Sequence, residues 1–284
     1  MTGFKDIEAI FLDIDGTLVS FKTHRVPQST IDAVHRLRGL GVKVFIATGR
    51  PLPFVDNLGT LEYDGIMTVN GASCKVREQG EFYSQGAGSR EQGEFLTVQH
   101  RPIDQEDLKH LVEYHREHPF PIVFASDSET FITSISDSSR EVLDLLDIKC
   151  PKVAPIEHYK DMDVMQLVAF FTEEEEPYII DKVMPHSAAH RWHAAFADVI
   201  CKGSSKQDGV DAIIRHYGIP LSHTMAFGDG GNDVGMLQHV GFGYAMGNAK
   251  PSVLEAAPYT TDSVDNDGVA KILNKVIAAQ VHPL

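Results

Sequence analysis

The chain lacks several features that mark whole classes of protein. No apolar run in its 284 residues approaches the roughly 20 that a membrane-spanning helix requires. The first part of the chain mixes acidic and basic side chains without a signal-peptide pattern. Its three cysteines are too few and too scattered for a disulfide framework or a thiolate metal site. We therefore expect a protein of the reducing cytoplasm that does not enter a membrane.

Basic residues are also scarce. The formal charge of -15 opposes binding to nucleic-acid backbones and to anionic membranes, because a wide phosphate-binding surface needs an excess of Lys and Arg. Any phosphate group must then be bound locally, and the expected partner is a small molecule. The hydrophobic content of 43% is enough for one large core or two modest ones, and we expect two domains.

Four short apolar runs each end abruptly in a polar cluster, as buried strands do where they break into loops. The runs and their clusters are Ala9–Leu12 with Asp13–Thr17, Val42–Ala47 with Thr48–Pro51, Ile66–Val69 with Asn70–Gly71, and Thr224–Phe227 with Gly228–Asp233. A helical pattern separates the first two runs, and ligands of doubly wound sheets collect beyond the carboxyl ends of the strands. The sequence therefore predicts an α/β fold with a doubly wound parallel sheet and the polar clusters at one edge.

The pattern of the sequence changes between residues 72 and 200, where hairpin-like and helical stretches alternate with acidic turns. This change indicates an inserted second domain. Within it, the segment Arg77–Phe82 nearly recurs as Arg90–Phe95. A single short copy is no solenoid, so we interpret it as a local duplication in a hairpin or loop, without an assigned function.

Three aspartates suggest a metal site. Asp13 and Asp15 are spaced to point to the same side of a strand end, and Asp229 follows another strand of the predicted sheet. Oxygen ligands at this density suit a hard cation such as Mg²⁺, which takes substrate phosphate as a further ligand. Lys206 and the backbone N–H groups after Thr48 are then placed to meet the charge of the phosphoryl oxygens.

Simpler readings and other motifs compete with this one. Asp15-Gly16 taken alone is an ordinary turn, and an isolated lysine is usually solvated surface. The order of the clusters, each behind a buried strand, favours a site. Two groups of histidines could suggest zinc, and these are His186, His190 and His193, with helix-like spacing, and His110, His115 and His118. Neither group has an accompanying general-base signature, and histidines are common on exposed helices and hairpins. A dinucleotide fingerprint, an EF-hand loop and a serine-hydrolase elbow are each incomplete.

The polar clusters resemble the four motifs of the haloacid dehalogenase superfamily, in its Cof-type subfamily of phosphatases (subclass IIB, C2-capped). The matching segments are Asp13–Thr17, Ala47–Arg50, Lys206 and Gly228–Asp233, with further similarity at Asn70–Ala72, Val240–Asn248 and Asp267–Ala270. One departure is that the usual Lys-Gly pair reads Lys206–Gly209 here. Lys202, which glycine follows, therefore remains an alternative for the working lysine.

The resemblance implies a role for each matching residue. Asp13 is expected to attack phosphorus and form an aspartyl phosphate, and Asp15 to protonate the leaving alcohol and then activate water. The expected Mg²⁺ ligands are Asp13, the backbone carbonyl of Asp15, Asp229 and Asp233. The residues expected to hold the phosphoryl group are Thr48, Gly49, Lys206 and Asn232. Dehalogenases and ion pumps of the superfamily lack an acid at the position of Asp15, so its presence favours phosphoester chemistry.

The resemblance also implies the domain organisation. The long stretch between Thr48 and Lys206 leaves room for a C2-type α/β cap domain at residues 85–201, hinged near 83–88 and 198–203. Residues 1–84 and 202–284 then form a Rossmann-like catalytic core. Caps of this type lie over the site, so substrate specificity is expected in cap residues that the sequence does not identify.

The function implied is Mg²⁺-dependent hydrolysis of a small phosphorylated metabolite, with sugar phosphates as the expected class by analogy with Cof-type relatives. A phosphomutase of the same superfamily is an alternative that returns the phosphoryl group to the substrate. A catalytically silent phosphate-binding regulator is another. The sequence assigns no oligomeric state.

Overall fold

The computed structural model describes residues 3–77, 95–145 and 149–281. The chain divides into two compact units. One comprises Met1–Gly49, Asn57–His100 and Ser205–Leu284, and the other comprises Arg50–Asp56 and Arg101–Ser204. In the described part of the chain, no helix combines the length and the apolar character needed to span a membrane.

The first unit is built on a sheet in which eight described strands pair. In chain order they are β1 (Ala9–Leu12), β2 (Lys43–Ala47), β3 (Gly65–Thr68), β4 (Ser73–Arg77), β5 (Phe95–His100), β12 (Thr224–Gly228), β13 (Phe242–Ala245) and β14 (Tyr259–Thr260). Their order across the sheet is β14-β13-β12-β1-β2-β3-β4-β5, and all pairs from β14 to β3 are parallel. The predicted α/β class and the doubly wound parallel sheet are confirmed.

The order of the strands fixes where the site lies. Successive strands after β1 lie on one side of it, whereas β12, β13 and β14 lie on the other, so the winding reverses between β1 and β12. Leu12 pairs with both Phe227 and Ile46, which brings the carboxyl ends of β1, β12 and β2 level. Ligands of doubly wound sheets bind at this reversal. Asp13 and Asp229 are the residues that leave the two strands there.

Helices cover the two faces of this sheet. In chain order the eight described helices of the protein are α1 (Gln28–Gly39), α2 (Gln105–Glu117), α3 (Asp137–Leu145), α4 (Glu176–Tyr178), α5 (Lys206–Tyr217), α6 (Val234–His239), α7 (Pro251–Ala256) and α8 (Gly268–Val281). Phe11, Phe45 and Met67 form a core with residues of α5 and α6 on one face. The alternate strand residues Ile10, Leu12 and Val44 are fully buried on the other face, and α1 packs against α8 and β2.

The second unit has its own sheet and core. Its described strands are β6 (Ile122–Ala125), β7 (Thr130–Ile132), β8 (Lys152–Val153), β9 (Gln166–Ala169), β10 (Ser187–His193) and β11 (Phe196–Cys201), in the order β10-β11-β9-β6-β7-β8. All pairs are antiparallel except β7 with β8. Leu108 and Leu111 of α2 pack on Phe124 and Leu167 in a core of the unit's own.

Two features differ from the expectations. The sequence assigned residues 95–100 to the second domain, but β5 pairs with β4 from Ser73–His100 to Arg77–Phe95 and so extends the first sheet. His190 and His193, whose spacing from His186 is helix-like, lie in β10, a strand paired with β11, and His186 directly precedes that strand. The predicted boundary at 84/85, the hinge at 83–88 and most of the near-repeat lie outside the described residues. The division of the chain into domains stays a prediction.

Candidate active site

Asp13 is held at the end of β1 by the ladder that joins β1 to β12. Its backbone N–H donates to the carbonyl of Phe227 at 3.1 Å. The chain then turns at Gly16, whose φ of +77° is left-handed. A Cβ at Gly16 would lie 2.2 Å from Oδ2 of Asp229, so glycine is required for this close approach. Asp15-Gly16 is therefore a turn, as its composition predicts, and also one wall of the site.

Lys206 is the first residue of α5, and its side chain is fully buried. Ser205 caps the helix by accepting a hydrogen bond from the N–H of Asp208 at 3.2 Å. The Nζ of Lys206 donates to Oδ1 of Asp13 and to Oδ1 of Asp233, each at 2.6 Å. The solvated-surface reading of Lys206 is therefore wrong.

The alternative lysine lies elsewhere. Lys202 belongs to the second unit, where its Nζ donates to the carbonyl of Pro185 at 3.4 Å. The structure therefore pairs Lys206, and not Lys202, with Asp13.

Asp233 organises the loop that follows β12. Its Oδ2 accepts hydrogen bonds from the N–H groups of Asp229 at 3.0 Å and Gly230 at 2.9 Å, while its Oδ1 accepts from Lys206. The side chain is fully buried, so these three bonds stabilise its charge. Asp233 thus holds both Lys206 and the backbone of Asp229 in place.

Three carboxylates face one ammonium group in this cluster. Oxygen atoms of Asp13, Asp229 and Asp233 lie within 4.8 Å of one another. Burial, followed by the charge of Asp233, raises the pKa of Asp229 to about 7. Burial and then Asp233 also raise the pKa of Asp13, against the opposing effect of Lys206. Burial lowers the pKa of Lys206, but Asp13 and Asp233 outweigh it and the net shift is upward. Ionised, the cluster carries excess negative charge that a cation would offset.

Asp15 lies beside this cluster and is half-buried. It forms an isolated parallel bridge with Val19, which brings the chain back after the turn. Its charge contributes to the raised pKa of Asp229. Among the described residues, the group of carboxylates close enough to share an ion does not include that of Asp15. The expectation that Asp15 offers a metal only its backbone carbonyl stays a prediction.

The segment after β2 lies beside two asparagine side chains. Thr48 is buried, its N–H donates to the carbonyl of Met67 at 2.9 Å, and its carbonyl accepts from the N–H of Asn70 at 3.1 Å. A Cβ at Gly49 would lie 3.2 Å from Oδ1 of Asn70 and 3.4 Å from Nδ2 of Asn232. The predicted phosphate-binding residues Thr48, Gly49 and Asn232 are therefore neighbours in the first unit.

Three polar residues at this edge were not assigned a role from the sequence. Thr17 donates to Oδ1 of Asp229 at 3.3 Å. Asn248 donates to the carbonyl of Gly16 at 2.8 Å and to Oδ2 of Asp229 at 3.4 Å. Oδ1 of Asn70 accepts a hydrogen bond from Nδ2 of Asn232 at 2.9 Å. The positions of Asn248 and Asn70 in the sequence could have indicated a place at the site, because each residue follows a strand of the parallel part of the first sheet.

Among the histidines weighed as zinc ligands, His186 binds a carboxylate of α2. His186 donates from its backbone N–H to Oδ2 of Asp107 at 3.0 Å, and its Nδ1 lies 3.0 Å from Oδ1. Ser187 also donates to Oδ2 of Asp107, at 2.7 Å. Asp104 is close to this pair, but it caps α2 by accepting from the N–H of Glu106. These bonds tie the first turn of α2 to the start of β10.

The second histidine group has similar roles. His115 lies in the last turn of α2, with Nε2 2.7 Å from the carbonyl of Phe120, and His118 follows the helix and stacks on Tyr114. Among the described residues, the groups close enough to hold a metal contain neither His110 nor His115. His115 and His118 are therefore used in local contacts at the end of α2.

The chain is similar to known proteins over most of its length. Residues 10–273 match the family described as haloacid dehalogenase-like hydrolase. The solved structure of the HAD subclass IIB sugar phosphatase BT4131 is 39% identical, with a TM-score of 0.78 over 94% of this chain and 98% of that one. The phosphatase BT1666 from Bacteroides thetaiotaomicron is 34% identical, with a TM-score of 0.81 over 95% of each chain. The Bacillus subtilis (strain 168) protein named "Putative phosphatase YkrA" is 30% identical, over 93% of this chain and 96% of its own.

The family match covers the sequence from β1 into α8, and so includes every predicted site residue. The structural matches extend over both compact units. The chain therefore belongs to the haloacid dehalogenase superfamily, as a Cof-type phosphatase of subclass IIB.

Proposed function

We propose that this phosphatase hydrolyses small phosphate monoesters with Mg²⁺, through an aspartyl-phosphate intermediate on Asp13. The observation that carries the proposal is the fully buried Lys206, which bridges Asp13 and Asp233 at 2.6 Å each, beside Asp229. A buried ammonium group is costly unless opposite charges pair with it, and here Asp13 and Asp233 do so. Its position supports a role in holding the nucleophile and a phosphoryl group together.

The residues at this site fit Mg²⁺. The donor set consists of carboxylate oxygens, from Asp13, Asp229 and Asp233, and hard oxygen donors are those that Mg²⁺ prefers. Burial and then the charge of Asp233 raise the pKa of Asp229, and Lys206 offsets only part of this shift. We propose that these three residues and the backbone carbonyl of Asp15 hold the ion. When bound, it would neutralise charge on the carboxylates and on the phosphoryl oxygens.

The chemistry of the first step belongs to the two aspartates of the loop. The Asp13 carboxylate attacks phosphorus, the ester P–O bond breaks, and the protonated carboxyl of Asp15 gives its proton to the leaving oxygen. Lys206, the Thr48 hydroxyl, the Gly49 N–H and the Asn232 amide hold the phosphoryl oxygens during this step.

The second step reverses the proton transfer. The Asp15 carboxylate takes a proton from water, and the water oxygen attacks phosphorus. The bond from phosphorus to Asp13 then breaks, which releases inorganic phosphate and restores the Asp13 carboxylate. The two steps consume one water and return both aspartates to their starting states.

The substrate class we propose is sugar phosphates. One similar structure is that of a sugar phosphatase, and a 27% identical relative from Bacillus subtilis (strain 168) is named 5-amino-6-(5-phospho-D-ribitylamino)uracil phosphatase YitU. Both names describe phosphate esters of hydroxyl-rich molecules. The cytoplasmic location and the absence of nucleic-acid partners, which the cysteine content and charge led us to expect, stay predictions.

The test is a panel of hexose phosphates, pentose phosphates and para-nitrophenyl phosphate, assayed for released phosphate with Mg²⁺ and with EDTA. We expect Mg²⁺-dependent release, abolished in Asp13→Asn and retained in Asp32→Asn, an exposed carboxylate of α1 in the same unit. Isomerised sugar phosphate without free phosphate would instead identify a phosphomutase. Absence of turnover in the wild type, together with phosphate binding measured by calorimetry, would identify a silent phosphate binder.

A further inference from the structure

A run of left-handed backbone follows β3. Val69 and Asn70 have φ of 51°, and Gly71 has φ of 87°. Left-handed conformation is strained for residues other than glycine, and a β-branched residue such as Val69 is a genuine outlier there. Gly71 has a packing reason, because a Cβ would lie 2.3 Å from the carbonyl oxygen of Ser205, at the start of α5. The strain at the two preceding residues needs another explanation.

The run brings Asn70 to the predicted phosphate-binding residues. Its N–H donates to the carbonyl of Thr48 at 3.1 Å, and its side-chain amide lies beside Gly49. Its Oδ1 accepts a hydrogen bond from Nδ2 of Asn232 at 2.9 Å. The loops after β2, β3 and β12 therefore meet at the side chain of Asn70.

The hydrogen bond between the two amides couples their orientations. In the structure Oδ1 of Asn70 accepts, and the Asn232 amide presents its nitrogen towards Asn70 and Gly49. An asparagine flipped the other way would present a carbonyl oxygen, which repels a phosphoryl oxygen. Within the described part of the chain, Nδ2 of Asn70 donates no hydrogen bond. Both N–H groups of this nitrogen therefore remain as donors at this edge.

We propose that Asn70 is a positioning residue, which orients the Asn232 amide as a donor towards the phosphoryl group and adds its own Nδ2 as a second donor. The inference rests on the proposed function, since it assigns a role at the same phosphate-binding edge. It also gives the strained backbone a reason, because the left-handed conformation places this amide between Gly49 and Asn232.

Asparagine tolerates left-handed backbone better than most residues, so a purely conformational role is the competing explanation. Two substitutions separate the explanations. Asn70→Gly keeps the backbone conformation and removes the amide. Asn70→Asp keeps an acceptor for Asn232 and places a negative charge beside the phosphoryl group. Asp267→Gly is the matched control, since Asp267 is also left-handed, with φ of 58°, and lies outside the site.

The measurements are kcat and KM on a good substrate, the dissociation constant of inorganic phosphate by calorimetry, and the thermal midpoint. Because hydrogen bonds to charged groups are involved, we expect Asn70→Gly to weaken phosphate binding and raise KM by about 10- to 100-fold. We expect Asn70→Asp to weaken phosphate binding further. Both variants should keep a thermal midpoint close to that of Asp267→Gly.

Wild-type KM and phosphate affinity in Asn70→Gly would overturn the inference and leave a conformational role only. The phosphate dissociation constant tests the inference without turnover. If the wild type released no phosphate from any ester, the proposed function would fail, while a large difference in phosphate affinity between wild type and Asn70→Gly would still support Asn70. An active wild type, together with an Asn70→Gly variant that keeps wild-type KM and phosphate affinity, would support the proposed function and overturn the role of Asn70.

Discussion

Replacing Asp229 by asparagine is expected to stabilise the metal-free protein while abolishing its activity. The pKa of Asp229 rises from 3.8 to about 7, mainly through burial and then through Asp233. A shift of about 3 units corresponds to at most about 4 kcal/mol of unfavourable ionisation, at 1.36 kcal/mol per unit. Asparagine has a similar shape and no charge. Its carbonyl can still accept from Asn248, and its amide can donate to the Thr17 hydroxyl.

The sign of the pH dependence follows from the direction of the shift. A carboxyl whose pKa is higher in the folded state binds more protons folded than unfolded, so ionising it destabilises the fold. The penalty at Asp229 is therefore absent below about pH 4, grows by about 1.4 kcal/mol per pH unit up to pH 7, and is complete above that. The advantage of Asp229→Asn should grow over the same window.

Scanning calorimetry and urea unfolding in EDTA, at pH 5 and pH 8, measure this effect, with Asp32→Asn as the control for loss of an exposed carboxylate. Added Mg²⁺ should stabilise the wild type by mass action and should have little effect on Asp229→Asn. A variant that is no more stable than the wild type at pH 8 in EDTA would refute the reasoning. It would mean that ionisation of Asp229 does not lower the free energy of unfolding of the metal-free protein.

Three further predictions concern the same cluster. Lys206→Met should cost about 3–5 kcal/mol of folding free energy in urea titrations and remove turnover, because Asp13 and Asp233 are left buried without their cation. Gly16→Ala should cost about 1–3 kcal/mol through the left-handed backbone alone, and steady-state assays should show loss of activity, because the new methyl group displaces Asp229. The Mg²⁺ concentration for half-maximal activity should rise by up to about tenfold per pH unit below pH 7, as protons compete for Asp229; a constant value between pH 5.5 and 7 would contradict its role as a ligand.

The sheet and the position of the site could be read from the sequence because both depend on local pattern. Ala9–Leu12 and Thr224–Phe227 are short apolar runs with an abrupt end, and period and composition suffice to predict buried strands there. Parallel pairing then places whatever follows them at one edge. The contact of Lys206 with Asp13 also follows in outline, since Lys206 begins a helix that packs against the same sheet.

Other features depend on pairing between distant segments, which local pattern does not specify. The strand Phe95–His100 pairs with β4, and its own sequence does not tell which domain it joins. The histidines of β10 have a spacing that is compatible with one face of a helix. Their segment is a strand because it pairs with β11, which its own sequence does not specify. The sharing of Asp233 between Lys206 and two backbone N–H groups is likewise a property of the folded loop.

Three departures from ordinary folding rules coincide at one edge of the first sheet. Val69 is β-branched yet has left-handed backbone, Lys206 has no exposed side-chain surface, and Asp229 has a pKa near neutrality. The left-handed backbone of Val69 is strained, the burial of Lys206 is costly without its two carboxylate partners, and burial followed by the charge of Asp233 disfavours ionised Asp229. Chance would scatter such departures over the structure, whereas selection for a function confines them to the place where it is performed. Their convergence on the carboxyl ends of β3, β1 and β12 is an argument for an active site there that is independent of any relative.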